Sequence, residues 1–255
     1  MLLLLPPSET KRDGGDGAAL DLASLAFPRL SPRRRELIRA VRTLAKDADA
    51  MAAALKLGPK QRGEVERNRT LTASPTLPAL DRFTGVLYDT LDAPSLPPAA
   101  RERAGESVVV ASALFGLVGG LDRIPAYRLS ADSRLPGVAL RAHWSDRVGR
   151  ELAAVPGLVL DLRSESYAAL GPAPRRPGSV YLRVLGEGPG GAVRALNHFN
   201  KRAKGELTRA LLTAPELPAS VEDLLDWAPS AGFRLAPGAP GELALTVGEP
   251  AAAPR

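Results

Sequence analysis

The sequence predicts a single domain of mixed α/β class, in which sheets are flanked by helices. Two short apolar runs, Leu2–Leu5 and Val108–Ala111, are bounded by residues that end strands. Runs of this length are typical of strands buried on both faces. Longer segments with helical periodicity lie between and after them. A chain of 255 residues with 45% hydrophobic and 24% charged residues is long enough to bury a sizeable core as one domain.

The N-terminal run predicts an inner strand rather than an export signal. Only Met1 precedes it and it stops at Leu5, whereas a signal peptide needs positive charge and then about 7–15 apolar residues. Pro6 and Pro7 end the strand because proline cannot donate to a ladder. Ser8–Arg12 then forms the loop at the carboxyl end of the strand, where open α/β sheets bind ligands. No stretch approaches the ~18 apolar residues of a membrane span, so no membrane partner is expected.

A long helix is predicted from Ser31 to residue 57. Serine is a preferred N-cap, and Pro32 stands at the first helical position, where its missing N–H is not needed. Gly58 ends the helix, as glycine commonly does. The apolar stripe of this helix consists of Leu37, Ile38, Val41, Leu44, Ala45, Ala48, Ala52 and Leu55.

The segment Gly58-Pro59-Lys60 joins this helix to the next one. It loosely resembles a helix-hairpin-helix, whose glycine-bearing hairpin offers backbone N–H groups to DNA phosphates. A second hairpin glycine is missing, so an ordinary helix connection is the alternative interpretation.

The second half of the chain predicts one further helix, two strands and a closing hairpin. "RAHWSDRVGREL" indicates a helix with Trp144 on its apolar side. Residues 158–162 and 180–185 indicate strands, and residues 232–235 with 243–247 indicate the hairpin. Gly116, Gly119 and Gly120 permit tight turns after the second inner strand, but their spacing does not fit a dinucleotide-binding fingerprint.

The residue inventory excludes several chemistries. The chain has no cysteine, which excludes disulfides, zinc-thiolate sites, iron–sulfur clusters and cysteine nucleophiles. Its two histidines, His143 and His198, are far apart in sequence and are interpreted as surface or packing residues. No nucleophile elbow, phosphate-binding loop or H-E-x-x-H motif is present. We therefore expect no tightly bound iron or zinc and no cofactor, and the sequence gives no motif for catalysis.

Charge favours an anionic partner. The formal net charge is +6 and the sequence pI is about 10.0. A predicted helix over residues 198–211 has apolar residues on one side and only Glu206 to offset its cations. Those cations are Lys201, Arg202, Lys204 and Arg209. Such a face is either merely solvated or turned toward phosphates. The alternative explanation of the positive net charge is that arginine-rich usage reflects genome composition rather than a binding partner.

Several sequence blocks, in order, resemble one family. They are "PPSETK" after the first strand, "FTGVLYDTL", "SALFGLVGGLDRIPAYRL", "HWSDR", "LDLRSESY" and "KRAKGELTR". The chain resembles the YaaA family of bacterial peroxide stress proteins from Met1 to about Val247. The resemblance implies one YaaA-type domain of mixed α/β fold over residues 1–248, with a helix-hairpin-helix element. Residues 249–255 are then expected to be a disordered tail.

The resemblance also implies a function. The family is associated with protection against hydrogen peroxide, with lower free intracellular iron, and with DNA binding through a positively charged cleft. We therefore expect a cytoplasmic, monomeric, non-catalytic protein that binds double-stranded DNA or another polyanion and helps limit iron-dependent oxidative damage. The alternative is an enzyme that acts on a phosphorylated or nucleotide-like small molecule in the same cleft.

The candidate site residues come from matching these blocks. They are Ser8 and Lys11 in the first loop, Ser112, Asp122, Tyr127 and Arg128 in the third block, and Lys201, Arg202, Lys204 and Arg209 in the basic block. We expect Lys11 and Arg128 to share one anion, with Ser8 as a hydrogen-bond partner. In the alternative interpretation, Ser8 and Ser112 only cap the helices that follow them, Lys11 points to solvent, and Asp122 pairs with Arg128.

The sequence departs from the family in the first loop, where Ser8 and Lys11 hold the comparable polar positions in shifted order, and at three matched positions. Asp161 stands where the family usually has asparagine, and Arg163 where it often has alanine. Lys204 replaces a more usual arginine, an exchange that a simple phosphate contact tolerates but a bidentate contact does not.

Overall fold

A computed structural model of the chain describes residues 1–187, 193–194 and 197–248, so the predicted tail at residues 249–255 lies outside it. The described strands are β1 (Leu2–Leu5), β2 (Leu77–Pro78), β3 (Val108–Ser112), β4 (Gly116–Gly119), β5 (Arg123–Ile124), β6 (Val159–Asp161), β7 (Ser179–Glu187), β8 (Val193–Arg194), β9 (Arg234–Pro237) and β10 (Glu242–Val247). The main sheet has the order β4-β3-β1-β6-β7-β10-β9, with β8 paired to β7, and β2 pairs with β5 in a small separate sheet.

The centre of the main sheet is parallel, which confirms the predicted inner strands. β1 pairs in parallel with both β3 and β6, β6 pairs with β7, and β7 pairs with β10. β4 and β9 are antiparallel edge strands, and the predicted C-terminal hairpin is β9–β10. All four leucines of β1 are buried. Because parallel strands end on the same side, the loops after β1, β3 and β6 meet at one edge of the sheet.

The described helices flank this sheet. They are α1 (Ser31–Leu44), α2 (Ala48–Leu55), α3 (Glu64–Arg69), α4 (Ala79–Arg82), α5 (Val86–Leu91), α6 (Pro98–Ser107), α7 (Leu140–Ala153), α8 (Glu165–Ala168), α9 (Asn197–Thr213) and α10 (Val221–Ser230). α7 is the predicted tryptophan helix. Trp144 is fully buried there, and its Nε1 donates to the Ala113 carbonyl at 2.8 Å. Within the described ranges, no helix combines the length and apolar character needed to cross a bilayer.

The predicted long helix is wrong in one respect, because it is divided into α1 and α2. The Asp47 side chain accepts hydrogen bonds from the backbone N–H groups of Asp49 at 3.1 Å and Ala50 at 3.0 Å, which caps a new helix. The apolar spacing continues across this break, so periodicity alone did not reveal it. The predicted N-cap is also wrong: Ser31 is the first residue of α1, and its hydroxyl donates to the Leu22 carbonyl.

The connection between α2 and α3 has the predicted position. Gly58 is extended, and Pro59–Gln61 forms one 3-10 turn before α3 begins. The Gln61 side chain accepts a hydrogen bond from the Gly58 backbone N–H at 3.1 Å. Whether this hairpin binds DNA stays a prediction.

Candidate functional site

The loop after β1 is held firmly against the segment that joins α4 to α5. The backbone N–H of Arg12 donates to the Arg82 carbonyl at 2.9 Å, and that of Thr84 donates to the Thr10 carbonyl at 3.2 Å. The Tyr88 hydroxyl donates to the Pro6 carbonyl at 2.7 Å. These bonds fix the direction in which the loop leaves the sheet edge.

Arg128 lies directly against this loop. Its Nη2 donates to the Glu9 carboxylate at 2.7 Å. Its own backbone is clamped on both sides by Asn68, whose Oδ1 accepts from the Arg128 N–H at 2.9 Å and whose Nδ2 donates to the Arg128 carbonyl at 2.7 Å. The structure thus brings the loop and Arg128 together, while anion binding between them stays a prediction.

The Lys11 amine is buried in the same place. Its Nζ donates to the carbonyls of Ser8 at 2.9 Å and Glu9 at 3.2 Å, and lies 4.2 Å from the centroid of the Tyr127 ring. Burial, together with the nearby positive charge of Arg128, lowers the pKa of Lys11 to about 7. Lys11 is therefore a cation whose charge changes near neutral pH.

Three hydroxyl groups, those of Ser8, Thr10 and Thr84, lie close together where the loop after β1 contacts the α4–α5 segment. The Oγ of Ser8 is 3.2 Å from Oγ1 of Thr10, and Oγ1 of Thr84 is 3.0 Å from the same Thr10 oxygen. Ser8 is exposed. Its hydroxyl is therefore available to solvent as well as to its neighbours.

Ser112 and Tyr127 form a buried pair beneath the loop. The Ser112 Oγ is 2.7 Å from the Tyr127 hydroxyl and accepts backbone N–H groups from Leu114 at 3.2 Å and Phe115 at 3.0 Å. Burial raises the pKa of Tyr127, so the phenol stays protonated. Ser112 therefore caps the turn between β3 and β4; the helix that the capping interpretation expected after it is wrong, because the strand β4 follows.

Asp122 lies apart from this cluster. Its Oδ2 accepts from the backbone N–H groups of Gly119 at 2.8 Å and Ala26 at 2.9 Å, which fixes the turn after β4. The expected pairing of Asp122 with Arg128 is therefore wrong. Arg128 takes its carboxylate from Glu9 instead, a partner that sequence proximity did not suggest.

The expected basic face of the last block is not continuous. Lys201 and Arg202 are exposed, and Arg202 pairs with Glu206 at 2.8 Å. Lys204 is buried, with its Nζ 3.5 Å from the Arg163 carbonyl. Arg209 donates to the carbonyls of Leu91 at 2.7 Å and Asp92 at 2.9 Å. The reason is that α9 contacts α5, α6 and β7, so its buried surface is wider than one apolar stripe.

A buried ion pair lies at the end of β6, at the same sheet edge. Arg163 donates to both carboxylate oxygens of Asp161, from Nε at 2.9 Å and Nη2 at 2.7 Å, and to the Gly171 carbonyl at 2.8 Å. The Tyr181 hydroxyl donates to the Arg163 carbonyl at 2.9 Å. In the sequence, both charged positions stood out only as departures from the family. The signal that could have predicted the ion pair was an aspartate and an arginine two residues apart at the end of a buried strand.

A cleft of about 530 Å³ opens between α3 and the chain that follows Lys11. Asp13, Glu64, Arg67, Ser74 and Ala126 are among its lining residues. Arg67 donates to Glu64 at 2.7 Å and to Asp13 at 2.8 Å. We call the cleft between α3 and the chain after Lys11 the α3 cleft. The sequence pattern gave no signal for Arg67, because its importance comes from the packing of α3 beside the loop after β1.

The histidines and acidic residues do not build a metal centre in the part of the chain that the structure describes, where no group of three or more His, Cys, Asp or Glu residues could hold an ion. His143 packs edge-on against Trp144, and its Nε2 lies 3.1 Å from the Arg33 carbonyl. The side chain of His198 lies outside the described residues. The expected lack of bound iron or zinc stays a prediction.

Stability is expected to rise with pH between about 7 and 10. Burial lowers the pKa of Lys11 to about 7 and that of Lys204 to about 8, from 10.5. The unfolded chain therefore binds more protons in this window, which makes the unfolding free energy increase by up to about 1.4 kcal/mol per pH unit and group. Above about pH 10 the sign reverses, because burial raises the pKa of Tyr88 and Tyr127 and the unfolded tyrosines ionise first.

Urea unfolding at pH 7, 8, 9, 10 and 11 measures this curve. Lys11→Met should flatten the rise, whereas the exposed Lys201→Met should not. A midpoint that is constant or falls between pH 7 and 9 in the parent protein would contradict the buried-lysine explanation.

The fold and the site define a mixed α/β protein with buried cations and tyrosines gathered at the carboxyl edge of parallel inner strands. The family model described as "Peroxide stress protein YaaA" matches residues 1–238. The chain belongs to this family.

Relatives extend the match over nearly the whole chain. The UPF0246 protein of Corynebacterium efficiens is 43% identical over 240 residues, which covers 92% of this chain and 94% of that protein. The UPF0246 protein of Streptomyces coelicolor is 44% identical over 236 residues, or 88% and 89% of the two chains. A UPF0246 protein of Corynebacterium glutamicum is 40% identical over 238 residues, or 91% and 94%.

Proposed function

We propose that this protein acts in the peroxide stress response by binding duplex DNA through its phosphates, and that it helps limit iron-dependent oxidative damage indirectly. Family membership supports the stress role. The net charge of +6 supports an anionic partner. The observation that carries the DNA contact is a row of exposed cations on α1.

This row consists of Arg35, Arg39, Arg42 and Lys46, which are all exposed. The first three follow the i, i+4, i+7 spacing of one helix face, and Lys46 comes just after the helix ends. We call these four residues the α1 cation row. Arg35 and Arg42 are about 10 Å apart along the helix axis, since each residue rises 1.5 Å. Duplex DNA offers several phosphates over that distance.

The cations of this row are available to a partner. Within the described residues, none of these four side chains forms a hydrogen bond or an ion pair; the nearby Glu36, whose charge also attracts Arg39, pairs with Arg33 at 2.7 Å. By contrast, Arg202 is paired, Lys204 is buried and Arg209 holds backbone carbonyls. The α1 cation row therefore supports DNA contact better than α9 does. A merely solvated face is the competing interpretation.

Replacing Arg35, Arg39 and Arg42 together with alanine is expected to weaken binding of a 25-base-pair duplex and to flatten its salt dependence. Loss of three phosphate contacts should reduce the slope of log affinity against log salt by about 2–3. Fluorescence anisotropy at five salt concentrations measures both quantities. The Lys201→Ala, Arg202→Ala variant should have a smaller effect.

The matched control removes the same charge from elsewhere on the surface, by alanine at the exposed Arg141, Arg147 and Arg175. If this control and the α1 variant lose affinity equally at every salt concentration, only net charge matters and the α1 cation row is not the contact surface.

A second candidate function is supported by the buried cations. Lys11 and Arg128 are nearly inaccessible to a duplex backbone. Neither lines the α3 cleft, but Asp13 and Ala126, each two residues away from one of them, do, and the volume of that cleft is within the usual range for small-ligand sites. The two buried cations, rather than the mixed charges that line the cleft, favour an anionic small molecule that is phosphorylated or nucleotide-like. Calorimetric titration of the parent protein with AMP and with inorganic pyrophosphate tests it.

A further inference from the structure

Among the residues that the structure describes, Arg128 differs from the other buried arginines in what holds its guanidinium. Arg34 donates to three backbone carbonyls and Arg82 to four. Arg163 is held by a buried aspartate. These three arginines are built into the fold, because backbone carbonyls or a buried carboxylate hold them.

The charged partner of Arg128 is instead a surface side chain. The Arg128 side chain is 10% exposed, whereas that of Glu9 is 60% exposed. Besides the 2.7 Å bond to the Glu9 carboxylate, its guanidinium makes only a long 3.5 Å contact with the Glu9 carbonyl among the described residues. A guanidinium has five N–H donors, so most of its capacity is open to a further acceptor.

The surroundings allow the glutamate side chain to leave without disturbing the arginine. Asn68 clamps the Arg128 backbone on both sides. The Lys11 amine holds the backbone carbonyls of Ser8 and Glu9. Displacement therefore needs only a rotation of the exposed Glu9 side chain, after which Arg128 remains oriented toward the space that the carboxylate occupied.

We infer that the Glu9 carboxylate is an internal stand-in for the phosphate of a small-molecule ligand, which displaces it from Arg128. The inference rests on the small-molecule candidate function proposed above. A phosphate is favoured over a carboxylate because it offers more charge and more acceptor oxygens to the open N–H donors of Arg128, and because the exposed Ser8 hydroxyl lies in the same loop as Glu9. Glu9 thus lowers the affinity of the site for the phosphate ligand, and it keeps the buried Arg128 paired when no ligand is bound.

Glu9→Gln tests this, since it removes the competing charge and keeps the side-chain size. It is expected to tighten binding of inorganic pyrophosphate and of AMP about tenfold in calorimetry at pH 7, and to tighten acetate binding less. Arg128→Ala should abolish the gain, alone and combined with Glu9→Gln. The control Glu102→Gln makes the same change of net charge on the exposed surface of α6 and should leave affinity unchanged.

The outcomes distinguish a failure of the role inferred for Glu9 from a failure of the small-molecule function. If the parent protein binds pyrophosphate and Arg128→Ala weakens it, but Glu9→Gln does not tighten it, the stand-in role is wrong and the small-molecule function survives. An equal gain in Glu102→Gln would assign the effect to net charge and also overturn the inference. If neither the parent nor Glu9→Gln binds any probe, the small-molecule function itself fails.

Discussion

Replacing Asp161 with alanine should destabilise the protein by about 3–5 kcal/mol, because the variant leaves the Arg163 charge buried without its counter-ion. The pair is almost completely inaccessible, with side-chain exposures of 1% for Arg163 and 4% for Asp161. Asp161 also accepts the backbone N–H of Arg163 at 3.0 Å, so the variant loses a local backbone bond as well. Urea unfolding monitored by tryptophan fluorescence measures the change.

A double substitution provides the control for this pair. Asp161→Asn with Arg163→Ala removes both charges and installs the residues that the YaaA resemblance implies at these positions. This variant should recover most of the lost stability, since no unpaired charge remains in the interior. If the double variant is as unstable as Asp161→Ala, the loss comes from packing rather than from the uncompensated guanidinium.

Replacing Gly205 with alanine should destabilise the protein by about 1–3 kcal/mol, although alanine is the better helix former by about 1 kcal/mol. Gly205 lies where α9 packs against α5. A Cβ there would lie 2.5 Å from the Leu87 carbonyl oxygen and 2.9 Å from Cβ of Thr90. Backbone cannot move aside as a flexible side chain can, so the two helices must separate.

Gly63→Ala is the matched control, because a Cβ at Gly63 meets no atom within 4 Å. Its φ of −59° is compatible with alanine. This variant should be neutral or slightly stabilising, by about 0.4–1 kcal/mol. Equal unfolding midpoints for the two variants would show that the α5–α9 contact is looser than the structure indicates.

The local pattern of the sequence was sufficient to predict the inner strands of the sheet. It also predicted that the loop after β1 and the Ser112–Arg128 segment lie together. Leu2–Leu5 and Val108–Ala111 could be recognised as inner strands because a strand buried on both faces must be apolar at every position. From there, the convergence of the loop after β1 with the Ser112–Arg128 segment followed from the direction of parallel strands. The family could be recognised from the order of its blocks, which no single block would have supported.

The partners of the charged residues were decided only by the tertiary structure. Periodicity places Lys204 on the polar side of its helix, yet α9 is covered on more than one side and Lys204 is buried. Asp122 and Arg128 are six residues apart, yet each bonds to a group that is about a hundred residues away in sequence. The α1 cation row is distinguished by the absence of carboxylate partners for its side chains. Only the packed structure shows this, because it shows which carboxylates already pair with other cations. Sequence spacing determines which face of an element a side chain occupies, whereas ion pairs depend on which other element packs there, and that choice is made by the whole core.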